Sequence, residues 1–322
     1  MLISEKALIR KIRLRTRPSL SRVVVKGIGD DCAVVRLPGR TDTLVTTDFS
    51  LEGVHFRRDW HSPESVGHRC LARGLSDIAA MGGDPAAVFL SLALPRDVGQ
   101  IWVDRFLTAL LKLAARYKVA LAGGDTAESP EGVLVDIVVL GTVPKGKAVL
   151  RSGARPGDRI YVSGALGGSA ATFNRLRDNP TNKLNPRQYP RHFFPEPRIE
   201  VGRILRDKGI ASAMIDTSDG LSTDLAHICE ESGVGAELQV GAIPRARIGK
   251  PRGPVDLDFA LNGGEDYELL FTAPASRRLP SQIAGVRITE IGEITRTKKI
   301  CIRETFGSRR PLRPQGWEHF RK

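Results

Sequence analysis

Cysteine is scarce in this 322-residue chain, and the four present, Cys32, Cys70, Cys229 and Cys301, lie far apart. None forms a C-x-x-C pair, which argues against a zinc site or a redox pair and fits a reducing compartment, so a cytoplasmic protein is expected. Aromatic residues are only 6% of the chain. No apolar run approaches the roughly 18 residues that span a membrane. The N-terminal MLISEKALIRKIRLRTR has no apolar core segment, so a secretory signal is not expected; Ser4-Glu5 before an apolar-periodic stretch predicts a helix over residues 4–16. Familiar catalytic and nucleotide motifs are also missing. There is no G-x-x-x-x-G-K-[ST], GIGDDC fails G-x-G-x-x-G, no H-E-x-x-H occurs, and DTSDG lacks the first glycine of a G-x-S-x-G elbow. Any nucleotide chemistry therefore has to use a less common fold.

The most abundant charge is basic. Lysine and arginine number 49 against 36 acidic residues, a formal charge of +13. Such a balance favours polyanions: nucleic acid, a membrane surface or a phosphorylated small molecule. The arginines are scattered, with concentrations at 10–17, 245–252 and 297–313, and no basic helix carries interleaved aromatics. Solvated surface charge is favoured over nucleic-acid binding. The apolar fraction of 41% is enough for a sizeable core, and the length suits one large or two ordinary domains.

Strand and helix patterns alternate through about residue 145. VVVKGIGDD and DTLVTTDFSLEGVHF read as strands ending in loops. SPESVGHRCLARGLSDIAAMG reads as a helix with Ser62 as N-cap and Pro63 in the first turn. AAVFLSLALP is a strand, QIWVDRFLTALLKLAARYK a helix, and VALAGGD and VLVDIVVLGTV are strands. The alternation predicts an α/β architecture, α+β by some definitions. A turn cluster, GARPGD, sets a boundary near residue 150, giving domains 1–150 and 151–322. In the second half GALGGSAATF is a Gly-rich turn into a helix. Residues 178–197 are a proline-rich loop or lid, 198–208 a helix, and DFALNGGEDYELLFTAP is strand-like.

Six short stretches share one plan: an apolar run, small residues, then a carboxylate. They are GIGDD (Asp30, Asp31), TTD (Asp48), LSD (Asp77, in a helical pattern), AGGD (Asp125), DTSDG (Asp216, Asp219) and GGED (Glu265, Asp266). A single aspartate after glycine is usually a turn or cap residue; six together point elsewhere. Most sit at strand ends, where α/β proteins bind ligands. Carboxylates brought together cannot all stay ionised without cations. Mg²⁺ takes oxygen ligands and keeps positions for substrate phosphates, while neighbouring glycines let backbone N–H groups approach a phosphate. The combination suggests a Mg-nucleotide site.

GIGDDCAV, TTDFSLEGVHF, LSDIAAMGGDP, AGGDT, RSGARPGD, IDTSDGLSTDL, NGGEDYELLF and GWEHF together resemble the thiamine-monophosphate kinase family, over about residues 4–320. That family belongs to the superfamily of aminoimidazole ribonucleotide synthetase, selenophosphate synthetase and a hydrogenase maturation dehydratase. The resemblance implies two domains, a homodimer built through the N-terminal sheet, and ATP-dependent conversion of thiamine monophosphate to thiamine diphosphate with several Mg²⁺ ions and no covalent nucleophile. It implies metal positions at Asp30, Thr46, Thr47, Asp48, Asp77, Asp125, Asp216 and Asp219. It implies ATP contacts at Gly124, Asp125, Arg151 and Ser218, and substrate contacts at His55, Glu265 and Trp317. Asp31 is left between a supporting and a structural role. Another ATP-dependent enzyme of the superfamily is the nearest alternative. A selenophosphate synthetase would want a reactive cysteine ahead of the acidic pair, and a hydrogenase maturation enzyme a cysteine in its tail; neither is present. A basic nucleic-acid-binding protein is the alternative from another class.

Overall fold

The structure, a computed structural model, describes residues 24–179, 184–249 and 252–318, with Ala7, Arg10, Leu14 and Thr181 as isolated positions. Most of the helix expected over 4–16, the start of VVVKGIGDD and the last residues of GWEHF lie outside the described residues. The first sheet is built from β1 (Val24–Lys26), β2 (Ala33–Val35), β3 (Thr41–Leu51), β4 (Asp84–Leu94), β5 (Ala120–Glu128) and β6 (Leu134–Pro144), with helices α1 (Pro63–Ala80) and α2 (Gln100–Arg116) between strands. Its order is β1-β2-β3-β6-β4-β5. Strand β6 lies between β3 and β4, so these ladders are antiparallel and only β4 and β5 run parallel in this sheet. The sequence alternates like an α/β protein, but the sheet is mixed because α1 joins strands that are not neighbours.

The second half contributes β7 (Arg159–Ser163), α3 (Gly168–Asp178), the short α4 (Pro190–Phe193), α5 (Ile199–Asp207), β8 (Ala213–Asp216), α6 (Leu221–Ser232), β9 (Gly235–Gln239), a ribbon of β10 (Arg247–Ile248) and β11 (Gly253–Pro254), α7 (Leu257–Asn262), β12 (Leu269–Ala273), β13 (Gln282–Ile283), β14 (Val286–Thr295), β15 (Ile300–Arg303) and β16 (Arg309–Pro311). The main order is β16-β15-β9-β14-β7-β12-β8, with β13 beside β14. The stretch expected to be strand-like from Asp258 onward splits. Residues 257–262 are helical, GGEDYE is irregular, and only Leu269–Ala273 forms strand. Glu265 and Tyr267 take φ of 64° and 51°, a left-handed backbone that side chains disfavour and that often marks a working loop.

Helix α1 ties the halves together. Ser62 caps it by accepting from the Ser65 amide at 3.3 Å, and Pro63 opens it. Leu71, Leu75 and Ile78 are fully buried, and trimming any of them to alanine should cost about 2–5 kcal/mol. One continuous apolar core runs from the first sheet through α1 to Val201, Leu205, Met214 and Phe271 of the second half. Helix α5 meets α1 so closely at Gly202 that a Cβ there would sit 2.1 Å from the Ala79 carbonyl oxygen. Close packing at this seam fixes the cleft between the two sheets.

Candidate active site

The site begins with two periodicities. Alternation along β3 places Thr46 and Asp48 on one face and Thr47 on the other, exposed face. On α1, Arg69, Arg73 and Asp77 follow one another at intervals of four and make a polar stripe up one side of the helix. The Thr46 hydroxyl donates to Asp77, and Arg73 Nη2 donates to Asp48 Oδ1 at 3.1 Å. Asp216, at the end of β8, accepts from Ser76 Oγ at 2.6 Å. The GIGDD loop delivers Asp31 to the same corner. Carboxylate oxygens of Asp31, Asp77 and Asp216 all lie within 4.8 Å of one another.

Crowding and burial have the expected electrostatic result. Burial, then Asp31, pushes the Asp216 carboxyl up to about 8. Burial, then Asp48 and Asp216, raises Asp77 well above the ordinary carboxylate range, and burial raises Asp48. Burial and its neighbour Asp31 raise Asp30 to about 6. Asp31 is partnered on one side by Arg151 Nε at 3.0 Å, but its Oδ1 is buried without a hydrogen bond among the described residues.

A cleft of about 770 Å³ opens beside this corner. Asp48, Asp77, Asp216, Ser218 and Asp219 line it together with His55, Glu265, Tyr267 and Trp317. His55 Nδ1 accepts from the Leu51 amide at 3.0 Å. Glu265 is paired with Arg69 at 2.7 Å, and that guanidinium also donates to the His192 carbonyl. The tail straps onto the IDTSDGLST loop: Gly316 N donates to Thr223 Oγ1 at 3.0 Å and Trp317 N to the Asp219 carbonyl at 3.0 Å. This leaves the Trp317 ring half exposed at the cleft rim.

Six expected positions do not line the cleft; two of them, Thr46 and Arg151, reach the carboxylate corner through Asp77 and Asp31. Asp30 turns to Lys26 at 3.1 Å and to the Arg151 amide at 3.1 Å, so the second aspartate of the pair, not the first, reaches the carboxylate corner. Thr47 faces away. Gly124 and Asp125 sit on the edge strand β5, which is exposed along its whole length, and among the described residues Asp125 accepts only from the Thr126 amide at 2.8 Å. The sequence reading passed over Arg69, Arg73 and Tyr267. The four-residue spacing of R-x-x-x-R-x-x-x-D in a helix that also carries a site aspartate was the available signal for the two arginines.

Residues 29–143 match the family described as AIR synthase related protein, N-terminal domain, and residues 155–303 its C-terminal domain. The thiamine-monophosphate kinase of Salmonella typhimurium is 41% identical over 304 residues, covering 92% of this chain and 91% of the relative. That of Bacillus subtilis is 36% identical over 304 residues, covering 92% and 93%. The solved structure of AaThiL complexed with AMPPCP and TMP superposes with a TM-score of 0.86 at 33% identity, covering 99% of each chain. The chain belongs to the thiamine-monophosphate kinase family. Both halves of mixed helix and sheet contribute residues to the cleft. A hard divalent cation fits the corner that this thiamine-monophosphate kinase relative presents. Three convergent carboxylates, two of them (Asp77 and Asp216) with raised proton affinity, and one orphaned buried oxygen, Asp31 Oδ1, form an all-oxygen donor set.

Proposed function

We propose that this protein transfers the terminal phosphoryl group of ATP to the phosphate of thiamine monophosphate, giving thiamine diphosphate and ADP. The observation that carries the reading is the cleft itself, which brings the carboxylate corner together with His55, Glu265 and Trp317. The family relationship and the AMPPCP and TMP carried by AaThiL support the choice of substrates.

In this reading Thr46, Asp48, Asp77, Asp216 and Asp219 serve the metals with Asp31, while Asp30, Thr47 and Asp125 are assigned to them by the family resemblance alone, since none of the three lines the cleft. Gly124, Asp125, Arg151 and Ser218 serve ATP. Mg²⁺, when bound, offsets the repulsion between two polyanions and stabilises the leaving oxygen. The acceptor phosphate oxygen is already anionic, so the protein need not supply a strong base. Its work is to hold donor and acceptor in line and exclude water. Arg151 has the planar fork that suits a nucleotide phosphate. Glu265 offers a carboxylate to the amino edge of the pyrimidine, and Trp317 a face for a ring. Residues 1–150 form the domain for ATP, metal and dimerisation, and 151–322 the domain that completes the cleft. The enzyme works in the cytoplasm as a homodimer.

The test is direct. Purified protein is incubated with thiamine monophosphate, ATP and Mg²⁺, and thiamine diphosphate is quantified by chromatography. Product that vanishes with EDTA and drops at least about 100-fold in Asp216→Asn is expected. A folded protein that binds Mg-ATP but makes no thiamine diphosphate would sink the assignment.

A further inference from the structure

We propose that Arg73 binds the phosphate of the acceptor substrate, and that Asp48 governs its availability. The inference rests on the kinase reading above and adds a residue to it.

Arg73 sits mid-way along α1, its side chain 16% exposed, in the wall of the cleft. One terminal nitrogen donates to Asp48. The other, Nη1, is buried and has no hydrogen-bond partner among the described residues. A guanidinium presents five N–H donors, and a buried cationic donor left unpaired is costly enough that native proteins rarely keep one without a purpose. Its neighbours on the stripe do not share this condition. Arg69, one turn earlier, is engaged by Glu265 and the carbonyls of His192 and His55. Asp77, one turn later, is engaged by Thr46.

The location narrows the ligand. Arg73 donates to Asp48, of the carboxylate corner, and lines the same cleft as Glu265 and Tyr267, with the Glu265 carboxylate also acting on its charge. In the kinase reading the acceptor phosphate lies beside Arg73, because Glu265 takes its ring and its oxygen must meet the phosphoryl group at the metals. An arginine fork matches a phosphate with two parallel hydrogen bonds, which a lysine ammonium cannot do. Asp48 provides the coupling. A carboxylate whose oxygens turn to a cation is a poorer partner for a guanidinium, so both Nη atoms of Arg73 then seek an anion. Metal and acceptor phosphate should therefore favour each other's binding, and reciprocally.

The experiment starts with wild-type protein, which must make thiamine diphosphate in Mg²⁺; if it does not, the kinase reading fails before Arg73 is tested. Arg73→Gln and Arg73→Lys are then checked for folding by circular dichroism and thermal melting. Binding of thiamine monophosphate and of thiamine, which lacks the phosphate, is measured by calorimetry with Mg²⁺ and a non-hydrolysable ATP analogue present. Arg73→Gln should weaken thiamine monophosphate about tenfold or more, leave thiamine within about twofold, and leave the KM for ATP unchanged. Arg73→Lys should fall between, having charge without the fork. If both ligands weaken equally, if neither weakens, or if only the Mg²⁺ requirement shifts, Arg73 is a counter-ion of Asp48 and the proposal fails. Should Arg73→Gln not fold, the same comparison in Arg73→Lys decides it.

Discussion

At the scale of single residues, the carboxylate corner makes a prediction about pH that needs no substrate. Asp216 has its proton affinity raised to about 8, chiefly by burial and by Asp31. In the unfolded chain an aspartate releases its proton near pH 4. The folded protein thus holds a proton there that the unfolded chain has lost, and stability must fall as pH rises through that window. The buried histidines interfere little above about pH 7.5, where an unfolded histidine has lost nearly all of its proton and burial has already lowered His61 to about 3 and His192 further still. In EDTA the melting temperature should therefore drop between about pH 7.5 and about pH 9, and Asp216→Asn should remove part of that drop, the rest belonging to other buried carboxyls such as Asp77 and Asp224. Mg²⁺ should raise the melting temperature most at the upper end. A metal-free profile that is flat, or that rises with pH, would mean that the carboxylates are not crowded as described. The sequence showed the aspartates but not which of Asp30 and Asp31 turns inward. That choice depends on Lys26 and the Arg151 amide holding Asp30 aside, one of them contributed by a residue 121 positions away.

At the scale of elements, the proline-rich stretch is the clearest departure from its sequence. Its composition reads as a loop or lid, yet residues 184–198 are a strap packed between α1 and the second sheet. Phe193 is buried, its carbonyl accepts from Ser65 Oγ at 2.9 Å, and the Pro195 carbonyl accepts from His68 at 2.8 Å. His192 links the halves through His61 at 3.0 Å and Ser169 at 3.0 Å. Glu268, wholly buried, receives Arg191 at 2.7 Å, Arg198 at 2.6 Å and Ser163 Oγ at 2.6 Å. The partners of the Glu268 carboxylate lie 70 or more residues away in the chain, which is why local pattern could not reveal them. Removing the shared anion leaves two inward-facing cations, and breaking a buried pair from one side costs about 3 kcal/mol or more. Glu268→Gln should shift the urea midpoint accordingly, with the denaturant slope unchanged, and should expose 184–198 to faster amide exchange. Unchanged exchange in the strap would show that it is held by its apolar contacts alone. The helices and most strands were legible because their periodicity is local. The split of DFALNGGEDYELLFTAP was not, because a six-residue helix next to two left-handed residues follows neither period.

At the scale of the molecule, one strand is conspicuous for what does not cover it. Every residue of β5 is exposed, although it carries ALAGGDTAE, in which Gly124 and Asp125 are expected to serve ATP. Leu121 on the same strand and Phe49 on β3 are also exposed. An edge left uncovered by the described residues is a pairing hazard that proteins usually hide, and a second copy of the chain would account for its state. The homodimer reading then predicts a solution mass twice the 35.1 kDa of the chain, measured by light scattering after gel filtration. Leu121→Lys would place a charge on that edge and should shift the mass to that of the monomer. Its kinetic effect should be selective. Asp125 is carried by β5 whereas His55, Glu265 and Trp317 belong to the cleft, so dissociation should raise the KM for ATP well before that for thiamine monophosphate. Equal losses for both substrates would mean that the edge strand supports the whole fold and not the nucleotide side. A monomeric wild-type enzyme with full activity would remove the dimer from the account, and leave Gly124 and Asp125 without a part in it.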